Sequence, residues 1–195
     1  PKNAVAGKDF VAFLGSDFIQ QGGIAGQWLV DNFKGDKAVI IELEGTTGSS
    51  PANDRKKGFD DVIAKHENMT IVASQSGDFA RDTGRQVMET LLQAHPDVNV
   101  VYAHNDEMAI GAIQQAKKQG LRVPQDLSVV GFDDIQFAQF CDPPLTTISQ
   151  PRYEIGRQAM LMMLELLRGH DVRAGSRLLE TELVVRESAA PPRVF

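Results

Sequence analysis

The sequence predicts an α/β fold, a doubly wound and mostly parallel sheet with helices on its faces. Three observations lead there. Short β-branched runs alternate with amphipathic stretches of helical period along nearly the whole chain. Glycine and proline punctuate the ends of those segments. Two adjacent strands, 127–132 and 145–148, run out into Asp133 and Gln150. Polar groups at strand C-termini are where an open parallel sheet holds its ligands.

In chain order, residues 1–9 are polar and read as a tail, 10–14 as a strand, and Gly15, Ser16 and Asp17 as its exit. Between 19 and 33, Ile24, Ala25, Trp28, Leu29 and Phe33 recur at helical spacing. A strand over 37–43 leads through the loop 45–50 to Pro51, which opens a helix with Ser50 as N-cap and Phe59, Val62 and Ile63 as buried stripe. Alternation continues: strand 70–74, helix 81–94, strand 98–103, and helix 106–119 closed by Gly120 at C′. A short turn or helix at 135–140 separates the strands 127–132 and 145–148. The strongly apolar helix 155–167 ends at Gly169, and 178–185 is the last strand before a Pro-rich end. Met108, Met160, Met162 and Met163 fall on helical faces and are expected to pack in the core.

At 195 residues the chain has room for one large or two small domains. A net charge of -6 without a basic cluster argues against direct binding of nucleic acid. Cys141 is the single cysteine, so no internal disulfide forms. No apolar run approaches the roughly 18 residues of a membrane span, and no signal peptide is evident, so membrane insertion is not expected.

Signs of catalysis are thin. His66, His95, His104 and His170 lack metal-ligand spacing, and no histidine stands near Cys141 to activate it. Asp133 and Asp134 point to opposite sides of an extended chain. The loop 45–51, Gly-Thr-Thr-Gly-Ser-Ser-Pro, lacks the Gly-Lys-Ser/Thr ending of a P-loop and reads as a tight strand-to-helix turn. The expectation is a protein without cofactor, metal or enzymatic activity.

Residues about 10–120 resemble the periplasmic sugar-binding proteins of bacterial ABC importers, of the ribose and galactofuranose type. The likeness rests on Leu14-Gly-Ser-Asp17, on the run 42–59 from Glu42 to Phe59, on Ser74-Gln-Ser-Gly-Asp-Phe-Ala-Arg81, and on Tyr102-Ala-His-Asn-Asp-Glu-Met-Ala109. Residues about 121–188 resemble the effector domain of LacI-type repressors, of the cytidine repressor kind. Here the matching runs are 123–134, ending Val-Gly-Phe-Asp-Asp, and 140–156, which contains Pro-Pro-Leu-Thr-Thr-Ile-Ser-Gln-Pro.

Both families share the type I periplasmic-binding-protein fold, two α/β lobes joined by three crossings with ligand between them. The resemblance therefore implies that 1–17 is a remnant of the N-terminal lobe with the first crossing, and 18–150 the C-terminal lobe. Residues 151–170 would be a helix of the N-terminal lobe, and 171–195 the final C-terminal strand and tail. Most of an N-terminal lobe and the repressors' helix-turn-helix would be missing, as in a C-terminal half or a chimera.

Carried over residue by residue, the ligand positions are Arg55, Phe79, Asn105, Asp133, Gln150 and Asp17. A sugar needs paired donors and acceptors and an aromatic face, which these supply. Each also has a plainer reading: Arg55, beside Asp54, Lys56 and Lys57, on a solvated helix face; Phe79 in the core; Asn105 and Asp133 as caps; Gln150 serving a proline turn. The implied function is non-catalytic binding of a small furanose sugar or nucleoside, with an ABC permease as partner and a periplasmic setting. The alternative is the effector and dimerisation domain of a cytoplasmic LacI-type regulator.

Overall fold

The computed structural model describes residues 8–170, 172 and 177–191, so most of the N-terminal tail and the last four residues lie outside it. By internal packing the chain divides into two units, 18–149 with 182–195, and 1–17 with 150–181.

The larger unit is the expected α/β sheet. Its strands are β2 (Ala38–Glu44), β3 (Met69–Ser76), β4 (Val100–Ala103), β5 (Ser128–Asp133), β6 (Thr146–Ser149) and β8 (Glu182–Val184), ordered β3-β2-β4-β5-β6-β8. All neighbours pair parallel except β6 and β8. Side-chain alternation sorts each strand between two cores. Val39, Ile41, Leu43, Val101, Ala103 and Val129 face one way, toward the helices α3 (Arg81–Ala94) and α4 (Asp106–Lys118). Ile40, Val100, Tyr102, Val130, Phe132 and Ile148 face the other, toward α1 (Phe18–Phe33) and α2 (Ser50–Ile63).

The α1–α2 crossing is close because two glycines make it so. A Cβ on Gly22 would stand 2.0 Å from the Arg55 carbonyl oxygen, and one on Gly58 1.9 Å from that of Ile19. Bare backbone at both points lets the helices touch, which places the first turns of α2 over the sheet. The expected Gly120 C′ position is also seen, with φ of +85° after the Gln119 cap of α4.

The smaller unit holds β1 (Leu14–Gly15), α5 (Arg152–Leu167) and β7 (Arg177–Leu178), with β1 and β7 paired parallel.

Several local expectations are corrected. The strand expected over 10–14 is reduced to two residues at its end. The N-cap of α2 is Ser49, not Ser50, and its hydroxyl makes no capping bond. The single strand expected over 178–185 is two strands in different sheets, because β7 finds its partner in β1 and β8 in β6. Met108 and Met162 are buried as expected, but Met160 and Met163 are exposed. Helical spacing defines a stripe without saying what covers it.

Candidate functional site

Parallel strands deliver their C-termini to one edge of the larger unit. Asp133 ends β5, Asn105 follows β4, and Phe79 follows β3. Arg55 comes from the second turn of α2, the helix that follows β2. These four residues are linked. Arg55 Nη2 lies 3.7 Å from Asp133 Oδ1, and its guanidinium carbon 5.9 Å from the Phe79 ring centroid. Asn105 Nδ2 donates to the Phe79 carbonyl at 3.0 Å. Asp17 and Gln150 belong to the smaller unit.

The solvated-face reading of Arg55 is overturned: the residue is 4% exposed. Its guanidinium lies 3.4 Å from the centroid of Phe132 and 5.2 Å from that of Phe18, a cation held among aromatic faces. Nη1 donates to the His104 carbonyl at 2.6 Å. Nε is buried and finds no hydrogen-bond partner among the described residues. Burial pulls the guanidinium below its ordinary value, while the Asp133 carboxylate works in the opposite direction.

Asn105 does what its plainer reading proposed, its Oδ1 accepting from Met108 N–H at 3.0 Å as the N-cap of α4. Phe79 is partly buried against the core, with a positive φ of 57°. Gly45 leaves room for it, since a Cβ there would stand 1.9 Å from the ring. Asp133 and Asp134 also carry positive φ values, 114° and 52°. They diverge as expected: Asp133 meets Arg55, whereas Asp134 Oδ1 accepts from Arg186 Nη2 at 2.7 Å.

Behind the site runs a buried polar array that sequence reasoning missed. Glu42 and His104 are both fully buried, with Nε2 and Oε1 2.9 Å apart. Gly45 N–H donates to His104 Nδ1 at 3.3 Å, which leaves Nε2 as the nitrogen that donates to Glu42. Burial opposes ionisation of Glu42, but hydrogen bonds from His104, Lys56 and Ser74 outweigh it and hold its carboxyl below the usual range. The same bond anchors the start of the loop 45–51, whose residues 46–48 are exposed. The available signal was Glu42 itself, a carboxylate inside an apolar strand that must find partners when buried.

Cys141 is a quiet thiol, its Sγ 3.2 Å from the carbonyls of Ala138 and Pro143 and its pKa pushed up by burial. Among the described residues no group of three His, Cys, Asp or Glu side chains is placed to hold a metal ion, and no helix is long and apolar enough to cross a membrane. The arrangement offers a guanidinium, a carboxylate, an amide and an aromatic face on one sheet edge. That set matches hydroxyl groups and a flat ring.

Several known proteins are similar to this chain. The repressor CytR of Escherichia coli (strain K12), an HTH-type transcriptional repressor, is 54% identical over 112 residues, covering 57% of this chain and 33% of the repressor. The ribose import binding protein RbsB of Salmonella typhimurium is 37% identical over 182 residues, 92% of this chain and 60% of that protein. A crystal structure from Mycobacterium smegmatis in complex with β-D-fucofuranose superposes with a TM-score of 0.84 at 33% identity, over 93% of this chain and 61% of that one. The chain thus spans 33% of the repressor's length and 60% of the ribose protein's. The model of the periplasmic binding protein-like domain matches residues 35–189, and the chain belongs to that family.

Proposed function

We propose that the larger unit supplies one wall of a non-catalytic site for a small sugar or nucleoside carrying a furanose ring. The observation that carries this is the joining of Arg55, Asp133, Phe79 and Asn105 at the strand C-termini. Arg55 is the anchor donor, Asp133 the hydroxyl acceptor, and Phe79 the face for the ring. Asn105 keeps one amide hydrogen beyond its bond to Phe79.

The likeness to a ribose import binding protein and to a structure holding β-D-fucofuranose supports the furanose class. Binding is to be followed by nuclear magnetic resonance. Ribose, galactose and cytidine are to be titrated separately into the labelled protein. Shifts confined to residues near 55, 79, 105 and 133 support the reading, and unmoved spectra with all three overturn it. An importer would present the ligated form to a permease in the periplasm.

A second reading follows from the 54% identity to the repressor, in which the chain is the effector and dimerisation part of a cytoplasmic regulator. Phe140, at 70% exposure, and the half-exposed Phe137 offer apolar surface for such association. Sedimentation separates the two: a dimer insensitive to salt and sugar favours the regulator, a monomer that shifts with ribose the solute-binding protein.

A further inference from the structure

β5 ends on an unusual backbone. Asp133 and Asp134 both take positive φ, a conformation that non-glycine residues hold only when their surroundings impose it. The two amides that follow Asp133 converge on one carboxylate. Ile135 N–H donates to Asp106 Oδ2 at 2.8 Å. Asp134 N–H approaches Thr147 Oγ1 at 3.3 Å, and that hydroxyl donates to Asp106 Oδ1 at 2.5 Å. Asp106 is fully buried in the first turn of α4, next to the site residue Asn105. The sheet makes room for it: a Cβ on Gly131 would lie 2.5 Å from Asp106 Oδ1.

We propose that Asp106 is a positioning residue, whose carboxylate fixes the left-handed turn at Asp133–Asp134 and so presents the Asp133 side chain to Arg55 and to the ligand. The ligand half of this statement rests on the sugar-binding reading; the turn half does not.

The charged and titratable groups around Asp106 are Asp133 and Asp134 at the end of β5, Arg55 from α2, Arg186 beyond β8 and the Cys141 thiol after the 3-10 turn 136–139. Burial, then the two neighbouring carboxylates, push the Asp106 carboxyl up to about 7, against the hydrogen bonds from Thr147 and Ile135. Ionised, it holds the Ile135 amide through a charge-assisted bond; protonated, through a weaker neutral one. The grip on the turn therefore tightens as pH rises through neutrality.

The test compares the wild-type protein with Asp106→Asn, which keeps the shape and removes the charge. Without sugar, the Ile135 and Asp134 amide resonances of the wild type are expected to follow one titration near neutrality, and those of Asp106→Asn to stay flat. A second variant, Thr147→Val, keeps the carboxyl but removes one donor, and should move the midpoint upward. Ribose affinity of the wild type should rise roughly fivefold from about pH 6 to about pH 8, and that of Asp106→Asn should not change. A titration that persists in Asp106→Asn, or that leaves Ile135 unmoved in the wild type, overturns the proposal. The same pH dependence of ribose binding in both proteins overturns its ligand half and leaves the sugar reading standing. The expected amide titration with no ribose binding at any pH does the reverse.

Discussion

The guanidinium of Arg55 lies 3.4 Å from the centroid of the Phe132 ring, while its Nη1 donates to the carbonyl of His104 at 2.6 Å. A flat, delocalised cation can stack and hydrogen-bond in its own plane at once, and a lysine ammonium cannot. Arg55→Lys should therefore cost about 1–2 kcal/mol in denaturant unfolding. Arg55→Ala should cost about 2–4 kcal/mol, because it opens a cavity and takes a cation away from Asp133, whose partial exposure softens the loss. Neither variant should shift with ribose.

Gly131→Ala tests the space reserved for Asp106. The added methyl would meet Leu145 Cδ2 at 2.9 Å as well as the carboxylate, in a strand that cannot yield without moving β6. A loss of about 1–3 kcal/mol is expected by thermal or denaturant unfolding. An unchanged midpoint would mean that the carboxylate moves freely.

The pH dependence of stability has a definite sign. The Asp106 carboxyl is raised from 3.8 to about 7, so the folded state holds its proton where the unfolded chain has released it. Its contribution is full below the unfolded value and is lost as pH rises through about 7, by at most about 1.4 kcal/mol per pH unit. Unfolding of the wild type and of Asp106→Asn, followed across this range, should show the slope in the first and its loss in the second. Glu42 works the other way: its lowered pKa adds stability above the unfolded value, lost as pH falls through the folded one.

Removal of the Glu42 carboxylate strips Lys56, Ser74 and His104 of a shared acceptor. Glu42→Ala should destabilise by about 3 kcal/mol and perturb the Arg55 resonances, since His104 carries the carbonyl that Arg55 binds. Glu42→Gln, which keeps an acceptor, should lose less. Equal losses would place the cost in the lost charge instead of in packing.

Helix α5 should respond differently from the rest. Leu167 is 77% exposed and Met160 61%. Leu167→Gln should leave unfolding within about 0.5 kcal/mol of wild type, while reducing any concentration-dependent association seen by sedimentation.

Much of the larger unit was legible in the sequence because period-two and helical patterns name each element locally. β2 through β6 and α1 through α4 all follow that pattern. The candidate positions Arg55, Phe79, Asn105 and Asp133 were singled out only through family likeness, and the structure brings these four together. Their mode of burial was not legible. Arg55 looks solvated beside Lys56 and Lys57, yet Phe18 and Phe132 enclose it from α1 and β5, far away in sequence. For the same reason 178–185 looked like one strand: its two halves pair with segments more than a hundred residues and some thirty residues earlier. Met160 and Met163 failed for want of any local sign of what covers a helix.

The sheet of the larger unit is finished by residues that come late in the chain. Ser188 accepts Thr146 N–H at 2.8 Å through its hydroxyl, donates that hydroxyl to the Val129 carbonyl at 2.7 Å, and takes Val129 N–H on its own carbonyl at 2.7 Å. On a ribosome, residues 18–149 emerge while β6 still lacks its antiparallel neighbour. A nascent chain is thus left with a bare strand edge, open to pairing with a second nascent chain, until about forty more residues have been synthesised. Slow translation across the α5 segment would prolong that exposure and raise the yield of misassembled product.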